Sequence, residues 1–316
     1  MNHPASGAKP IAVMGIFVAD LAFLTPRLPV WGETVLGQRF RMGPGGKGSN
    51  QSVAAARLGG NVAFITKLGR DNFGQMARDV YRTEGIDTRF VYESESEATG
   101  AAAILVDEAG ENAIIVAPGA AATLSAGDVD AAEEIIARSA LFMTQLELPM
   151  AIVVHGLRLA RRHGVPTILN PAPAAALTDE VLSLVDCLTP NETEAEALTG
   201  QRISSIKDAI SVADLLLARG PRAVVITLGA QGALVRTREI ATHVPAVEAG
   251  PVVDTTGAGD AFNGGLAVAL AEGRDLVPTV QFGCTVAGLA VTRPGTAPSM
   301  PQRAEVEALL ALEPTG

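Results

Sequence analysis

Short apolar segments alternate with helical segments along most of this chain. Apolar runs predict strands at residues 11–18, 62–66, 141–145, 167–170, 187–189 and 223–227. Helical periodicity predicts helices at residues 49–58, 74–84, 126–137, 149–163, 208–219, 258–271 and 276–292. Parallel strands need crossover connections, and helices are the usual crossovers. The alternation therefore predicts an α/β fold with a mostly parallel sheet between two helical layers.

Two regions interrupt this alternation. Residues 20–42 have no helical period, and residues 98–117 have the pattern of a β-hairpin that turns at 107–111. We predict that both regions leave the core and form a small β-sheet lid, since closure over a phosphoryl donor excludes water. The alternative is a hairpin at the edge of the main sheet. The predicted core is then 1–19, 43–97 and 118–316, and the discontinuous lid is 20–42 and 98–117.

Composition narrows the classes of function. The 316 residues carry a net charge of −10, with a pI near 5.0, which argues against a nucleic-acid partner. Mean hydropathy is +0.28, but no uninterrupted apolar run is long enough to cross a bilayer, which predicts no membrane partner. Residues 1–9 lack a signal-peptide pattern. Cys187 and Cys284 lie in apolar surroundings and no zinc spacing occurs, so we expect a cytoplasmic protein.

Two glycine-rich stretches lie about two hundred residues apart, at 43–51 and 254–265. Each runs into a helical pattern, so each should present unpaired backbone N–H groups at a helix N-terminus, where anions bind. The first lacks the sequence context of a dinucleotide fingerprint or of a P-loop. It contains Lys47 and Asn50, while the second contains Asp260. Two anion sites, one with a lysine and one with a carboxylate, predict a kinase.

Asp260 is the strongest catalytic candidate. It lies in the first turn of a predicted helix, directly after Gly257, Ala258 and Gly259. A carboxylate that only complements the helix dipole is common at such a position and is the alternative interpretation. A purely structural acid would not need the two glycines, however. We predict that their N–H groups stabilise the transferring phosphoryl group while Asp260 accepts the proton of the attacking hydroxyl.

Taken together, the two glycine-rich stretches resemble the signatures of the PfkB (ribokinase-like) family of carbohydrate and nucleoside kinases. The resemblance extends from Gly15 to about Pro301, and the stretches 170–174 and 189–196 are typical of the ribokinase branch. It implies the ribokinase-like three-layer α/β/α core with a small β-sheet lid. It also implies an ATP-dependent kinase that phosphorylates a primary hydroxyl of a small sugar such as ribose, a related pentose, a ketohexose or a deoxysugar.

The resemblance also assigns roles to residues. It makes Asp260 the base and the Gly257–Ala258–Gly259 turn the anion hole. The matching sugar-binding positions are Asp20, Gly46, Lys47, Asn50 and Glu147. The matching nucleotide-side positions are Asn191, Glu194, Thr227 and Gly229. The residues alone leave alternatives open, because Glu147 could be a helix N-terminal carboxylate, and Asn191 with Glu194 could be a plain capping box.

Cations and partners also follow from the resemblance. Mg²⁺ is expected with ATP, near the acidic nucleotide-side patch. A monovalent cation, K⁺ as a probable activator, is expected in a loop that uses mostly backbone carbonyls of Asp254, Thr256, Ala290, Arg293, Gly295 and Ser299. We expect a homodimer that associates through the lids, because an exposed sheet needs covering.

One departure from the family pattern concerns the acceptor. Ribokinases usually have asparagine at the position of Val18, and an isopropyl group cannot hydrogen-bond a sugar hydroxyl. The acceptor is therefore open among pentoses, ketohexoses, deoxysugars and nucleosides. A nucleoside kinase would use aromatic residues to stack a base, and only 4% of this chain is aromatic. A sugar or nucleotide sensor is the other alternative, although a sensor would not need the base Asp260.

Overall fold

The computed structural model describes residues 8–109 and 111–312. Within them the chain forms thirteen strands and eleven α-helices. The strands are β1 Ile11–Met14, β2 Val18–Leu24, β3 Arg39–Gly45, β4 Val62–Gly69, β5 Val91–Ser94, β6 Thr99–Val106, β7 Asn112–Gly119, β8 Leu141–Thr144, β9 Thr167–Leu169, β10 Cys187–Leu188, β11 Ala223–Thr227, β12 Ala233–Arg236 and β13 Ala241–Val244. The helices are α1 Lys47–Arg57, α2 Asn72–Glu84, α3 Ala126–Ala131, α4 Glu133–Arg138, α5 Met150–Arg162, α6 Asp179–Leu182, α7 Glu192–Thr199, α8 Ile206–Ala218, α9 Ala258–Ala271, α10 Leu276–Ala290 and α11 Arg303–Leu310.

The main sheet has nine strands in the order β13-β12-β11-β10-β9-β8-β1-β4-β5. Every pair from β11 to β5 is parallel, and β12 and β13 continue the sheet antiparallel. One buried apolar cluster, on one face, contains residues of α1, α2, α9, α10 and α11, and a second, on the other face, contains residues of α3 to α8. This arrangement confirms the predicted α/β class with helices on both faces of a mostly parallel sheet.

A separate sheet of four strands has the order β3-β2-β6-β7. Its central pair β2–β6 is parallel, and its two outer pairs are antiparallel. The hairpin β6–β7 thus belongs to this small sheet and does not extend the main one, so the edge hairpin is ruled out and the lid stays a prediction. The small-sheet strands reach slightly beyond the predicted lid segments, to Val18, Gly45 and Gly119.

The first strand was predicted as one run, 11–18, and this was wrong. The chain leaves the main sheet after Met14, and Val18 already pairs with Gly45 and Gly100 in the small sheet. The break lies at Gly15, where a Cβ would lie 2.4 Å from Gln145 Oε1 and 2.8 Å from Gly48 Cα. Only glycine lets the chain pass so close to α1 and β8, and the strand bends there.

The single helix predicted at 126–137 was also wrong, because α3 and α4 are separated at Ala132. The start of α3 is a capping box, with Ser125 accepting from the N–H of Asp128 and Asp128 accepting from the N–H of Ser125. The other predicted helices form, and α9 has the predicted bounds. Among the described residues, no helix combines the length and the apolar character needed to cross a membrane.

Candidate active site

The two glycine-rich stretches meet at the N-terminal ends of α1 and α9. These helices pack together at Gly264, where a Cβ would lie 2.5 Å from the Ala54 Cβ and 3.0 Å from the Gln51 carbonyl oxygen. A side chain there would push the helices apart. The glycine therefore brings the first turn of α1, with its polar side chains, within hydrogen-bonding distance of the first turn of α9.

The turn between β3 and α1 is a close approach of backbone to backbone. Gly46 has a φ of +89°, a left-handed conformation that favours glycine, and its Cβ would lie 2.6 Å from the Ile16 carbonyl oxygen. A Cβ at Gly45 would lie 2.3 Å from the Asp20 carboxyl group. The glycines thus fit the turn against β2 and place Asp20 beside the start of α1.

Asp260 is buried in the first turn of α9, with 7% of its surface exposed. Its two carboxylate oxygens accept hydrogen bonds from Asn50 Nδ2 at 2.9 Å and Gln51 Nε2 at 3.0 Å. Burial raises the pKa of Asp260, while the Lys47 ammonium and the two amide donors oppose this rise. The site therefore contains a carboxylate whose basicity is increased by burial but whose oxygens are held in a fixed orientation.

Lys47 is the cation among three acidic side chains. Burial alone would lower its pKa, but the nearby carboxylates of Asp260, Glu147 and Glu194 raise it above its usual value. The backbone N–H of Lys47 also donates to Glu147 Oε2 at 2.9 Å. The lysine thus stays charged. It interacts both with Glu147 on the predicted sugar side and with Glu194 on the predicted nucleotide side, so these residues form one cluster.

Two carboxylates on the predicted sugar side have raised pKa values. Burial raises the pKa of Glu147 to about 7, against the opposing charge of Lys47. Burial likewise raises the pKa of Asp20 to about 6, with a smaller contribution from Asp260 and against the hydrogen bond from Thr296. Both groups therefore change protonation near neutral pH, when most surface carboxylates are fully ionised.

Asn50 has one polar atom left for a ligand. Its Nδ2 donates to Asp260, but its Oδ1 is buried and has no hydrogen-bond partner among the described residues. An unpartnered buried carbonyl oxygen is unfavourable unless a ligand or water donates to it. The free oxygen fits the predicted contact of Asn50 with a hydroxyl donor.

Sequence reasoning missed a buried amide network that contacts Asp260. Gln145 Nε2 donates to Gln51 Oε1 at 2.6 Å, and Gln51 Nε2 donates to Asn170 Oδ1 at 3.2 Å as well as to Asp260. Thr189 then links the strand ends to α9, since its carbonyl accepts from Asn170 and its hydroxyl donates to Asn263 Oδ1. Gln51 is the last residue of the first glycine-rich stretch, and Asn170 and Thr189 are the first residues of the two ribokinase-like stretches. Their positions within these stretches were the only sequence signal of the network.

The N-terminus of α9 leaves several N–H groups unpaired. Gly257 is its N-cap with a φ of +83°, and the Ala258 N–H bonds to the Thr255 carbonyl oxygen at 3.2 Å. Among the described residues, the N–H groups of Gly257, Gly259 and Asp260 have no hydrogen-bond acceptor. A Cβ at Gly259 would meet no protein atom within 4 Å. The turn has unpaired donors and open space beside one of its glycines, as an anion site requires.

The nucleotide-side candidates lie at the carboxyl ends of β10 and β11, the edge where α/β sheets bind ligands. Asn191 and Glu194 form a capping box for α7, so part of the alternative interpretation is correct. Glu194 is nevertheless buried and interacts with Lys47, and burial raises its pKa. The Thr227 N–H donates to Pro190, and Gly229 follows with a φ of +54°.

The predicted cation loop is assembled by Asp254. Its two carboxylate oxygens accept from the N–H groups of Thr256 and Gly295, both at 2.9 Å, which joins the segments before α9 and after α10. These bonds help to hold the pKa of Asp254 below its usual value, although burial acts in the opposite direction. The Arg293 side chain pairs with Glu305, and the Ser299 hydroxyl donates to the Thr296 carbonyl.

Comparisons with known proteins identify the family of this chain. The family model "pfkB family carbohydrate kinase" matches residues 8–303. The chain is 41% identical over 297 residues to a ribokinase of Haemophilus influenzae. The aligned region covers 94% of this chain and 97% of that relative. It is 36% identical over 303 residues to a deoxyribokinase of Salmonella typhi, with 96% and 99% covered.

A solved structure of the Arabidopsis thaliana ribokinase complexed with ribose and ATP has the same fold. It superposes with a TM-score of 0.90 at 31% identity and covers 97% of this chain and 100% of that one. The family model, the near-complete coverage by the relatives and the convergence of both glycine-rich stretches on Asp260 lead to one assignment: this chain belongs to the pfkB family of carbohydrate kinases.

Proposed function

We propose that this kinase transfers the γ-phosphate of ATP to a primary hydroxyl of a small sugar, ribose or a closely related pentose, ketohexose or deoxysugar. The observation that carries the proposal is the buried Asp260 carboxylate, fixed by two amides at a helix N-terminus with unpaired N–H groups. Relatives described as ribokinase and deoxyribokinase support a sugar acceptor. The ribokinase structure complexed with ribose and ATP supports this pair of substrates.

In the proposed reaction, Asp260 takes the proton from the sugar hydroxyl as its oxygen attacks the γ-phosphorus. A new P–O bond forms to the sugar, the bond from the γ-phosphorus to the β–γ bridging oxygen breaks, and ADP leaves with that electron pair. The N–H groups of Gly257, Gly259 and Asp260 donate to the transferring phosphoryl oxygens, whose charge must be stabilised in the transition state. The Ala258 N–H is already bonded within the turn, so we assign Ala258 a role in shaping it.

Acceptor binding falls to Asp20, Gly46, Lys47, Asn50 and Glu147. The Asn50 Oδ1 and the two carboxylates accept from sugar hydroxyls, and the bare backbone at Gly46 permits a close approach. Val18 is 3% exposed and offers no hydrogen bond on the same face of β2 as Asp20. An acceptor that lacks one hydroxyl therefore loses less binding affinity at Val18 than it would at a site with a hydrogen-bonding side chain.

The nucleotide side uses Asn191, Glu194, Thr227 and Gly229. The described residues contain no group of three or more His, Cys, Asp or Glu side chains placed to hold a metal ion. This fits Mg²⁺, which binds through substrate phosphates and water with only one or two carboxylates. Glu194 is the carboxylate we assign to that task, and bound Mg²⁺ would neutralise charge on the ATP phosphates.

The cation loop fits K⁺ by its donor set. Among the described residues, no N–H bonds to the carbonyl oxygens of Asp254 or Thr256, so these oxygens are available to a cation. Arg293 would contribute its backbone carbonyl, because its side chain pairs with Glu305. We propose that Ala290, Gly295 and Ser299 complete the set and that K⁺ would orient the turn before α9.

The test of the proposed function is ADP release with Mg-ATP and K⁺ across ribose, 2-deoxyribose, other pentoses, ketohexoses and nucleosides. Turnover on a pentose, a ketohexose or a deoxysugar supports the proposal, and a preference for 2-deoxyribose over ribose assigns Val18 a part in specificity. Turnover on nucleosides alone favours the nucleoside kinase. ATP binding with no turnover on any compound overturns the proposal and favours a sensor.

Glu147 should make the stability of the fold and the binding of sugar change in opposite directions with pH. Its folded-state pKa of about 7 lies above the ordinary value of 4.5, so the folded state binds this proton more tightly than the unfolded chain. Stability from this group is complete below pH 4.5 and is lost as the pH rises toward 7. Glu147→Gln has no charge to bury, so its free energy of unfolding relative to wild type should increase from about pH 5 to about pH 8.

Sugar binding should show the reverse trend, because only ionised Glu147 accepts with both oxygens. We expect the wild-type KM for sugar to rise as the pH falls through about 7, and the KM of Glu147→Gln to be higher and flatter with pH. Thermal or urea unfolding and steady-state kinetics at matched pH values check both. A stability difference that does not change with pH would show that Glu147 is ionised throughout.

The small sheet is proposed to act as a lid and as the dimer interface. Its face opposite Asp20 exposes Phe23, Phe40, Met42 and Ile115, and Ile115 is 74% exposed. Exposed apolar patches of this kind mark interaction sites. Both cysteines are free and buried, which supports the proposed reducing, cytoplasmic location.

We expect wild type to sediment as a dimer and Ile115→Glu to sediment as a monomer, because a buried unpaired charge destabilises the interface. Leu215→Glu is the matched control, since Leu215 is an exposed apolar residue on α8 in the core and should leave the dimer intact. Sedimentation velocity distinguishes the two states. A wild-type monomer at micromolar concentration would contradict the proposed interface.

A further inference from the structure

Gln51 lies on the side of Asp260 that faces the protein interior. Its side chain is fully buried, and its Nε2 donates to Asp260 Oδ1 at 3.0 Å and to Asn170 Oδ1 at 3.2 Å. Its Oε1 accepts from Gln145 Nε2 at 2.6 Å. Both N–H bonds and the carbonyl oxygen are thus used by the protein. Gln51 has no group left for substrate, unlike its neighbour Asn50.

The orientation of the Gln51 amide is fixed by its neighbours. If it were turned over, its oxygen would face the oxygens of Asp260 and Asn170, and its nitrogen would face the Gln145 nitrogen. Gln145 keeps its own donor on Gln51 even though its Oε1 is buried without a hydrogen-bond partner. A buried carbonyl without a partner is unfavourable. Gln145 therefore donates to Gln51 in an orientation that leaves its own carbonyl oxygen unsatisfied.

Three hydrogen bonds of this amide network are donated in the direction of Asp260. Gln145 donates to Gln51, Gln51 donates to one carboxylate oxygen, and Asn50 donates to the other. A proton on Asp260 cannot point at either amide nitrogen, because neither nitrogen can accept it. The network therefore favours the ionised carboxylate, which is the form a general base needs before it takes the proton.

The charged groups around Asp260 would not keep its carboxylate ionised by themselves. Lys47 favours the ionised carboxylate, but Asp20, Glu147 and Glu194 interact with Asp260 as like charges. Burial also disfavours ionisation, and the two amide donors counteract it. The amides thus supply stabilisation that this acidic cluster lacks.

We propose that Gln51 is a positioning residue that keeps Asp260 ionised and correctly oriented, with Gln145 fixing the direction in which Gln51 donates. The proposal rests on the role of Asp260 as the base. It assigns to Gln51 an effect on the chemical step without a contact to either substrate.

The test is the pH dependence of kcat at saturating sugar and ATP for Gln51→Met, which keeps the length of the side chain and removes both donors. A lost hydrogen bond to a buried carboxylate should move the acidic limb of the profile upward by about one pH unit. On the acidic limb the variant should therefore lose about tenfold more activity than on the alkaline side of the profile, while both KM values change less than about threefold. Gln145→Met should shift the limb in the same direction by less.

Tyr81→Phe is the matched control. Tyr81 is also fully buried and donates to Ser49 of α1 at 3.2 Å, but it does not contact Asp260. It should lower the melting temperature and leave the pH profile unchanged. Circular dichroism shows whether Gln51→Met folds. If it does not fold, the shift of the acidic limb in Gln145→Met tests the proposal instead.

The outcomes separate this proposal from the proposed function. A wild type with no kinase activity, or a fully active Asp260→Asn, refutes the function. An active wild type with an inactive Asp260→Asn and an unshifted profile in Gln51→Met refutes only the positioning role. A loss in Gln51→Met that is uniform with pH, or a rise in KM that accounts for the whole loss, also overturns it.

Discussion

Asp260→Asn should lower kcat by about a thousandfold, since a positioned general base contributes roughly 10² to 10⁴ in rate. Asparagine keeps the size of the side chain but cannot take the hydroxyl proton. It also presents an N–H₂ group to either Asn50 or Gln51, which both donate to the wild-type carboxylate. The measurement is single-turnover phosphate transfer, with sugar and ATP binding measured separately by calorimetry.

The control is Asp71→Asn. The Asp71 carboxylate also accepts two backbone hydrogen bonds, from Gly74 at 2.8 Å and Thr99 at 2.7 Å, but it caps α2 away from the site. We expect this variant to lose stability and to keep kcat. A loss of kcat in Asp71→Asn as large as in Asp260→Asn would mean that general destabilisation, and not the base, explains the result.

Gly257→Ala should be the second most damaging change. Alanine in the left-handed conformation costs about 1–2 kcal/mol, and the new Cβ would lie 3.2 Å from Thr296 Cα. The turn must shift to accommodate it, which moves the unpaired N–H groups away from the transferring phosphoryl group. Loss of one such donor is typically worth about 10² to 10³ in kcat, so we expect a fall of about a hundredfold with ATP still bound.

Gly273→Ala provides the matched comparison on the same helix. Gly273 follows the C-terminus of α9 with a φ of +78°, and its Cβ would meet nothing within 4 Å. Both variants should lose similar stability in urea unfolding, but only Gly257→Ala should lose kcat. Equal kcat in the two variants would remove the turn before α9 from the proposed transition state.

Where sequence signals were local, they predicted the elements well. The helix α9 has the predicted bounds because Gly257 and Gly273 end its helical pattern on both sides. The first strand was overextended because the apolar run 11–18 continues through the point where the chain changes sheets. The reason for that change, the space beside Gly15, is filled by Gln145 and Gly48, which are distant in sequence.

The site followed the same division. The position of Asp260 at the start of α9 was predictable because its glycines precede it in the chain, and the position of Lys47 at the start of α1 because it lies within a glycine-rich turn. The hydrogen bonds of Gln51 were not predictable, because they depend on the packing of α1 against α9 at Gly264 and on a partner from the end of β8. Buried amides give no periodic or charge signal, so only three-dimensional contacts distinguish them from ordinary helix residues.

The small sheet connects to the core close to the proposed acceptor side of the site. Three residues separate β1 from β2, and Gly46 alone separates β3 from α1, whereas the proposed base Asp260 and the unpaired N–H groups lie at the start of α9. Loops of the small sheet can therefore vary in length and chemistry while the phosphate-transfer end stays unchanged. Such a division lets a lineage of duplicated genes acquire new acceptors by altering one edge of the molecule, without rebuilding the catalytic step.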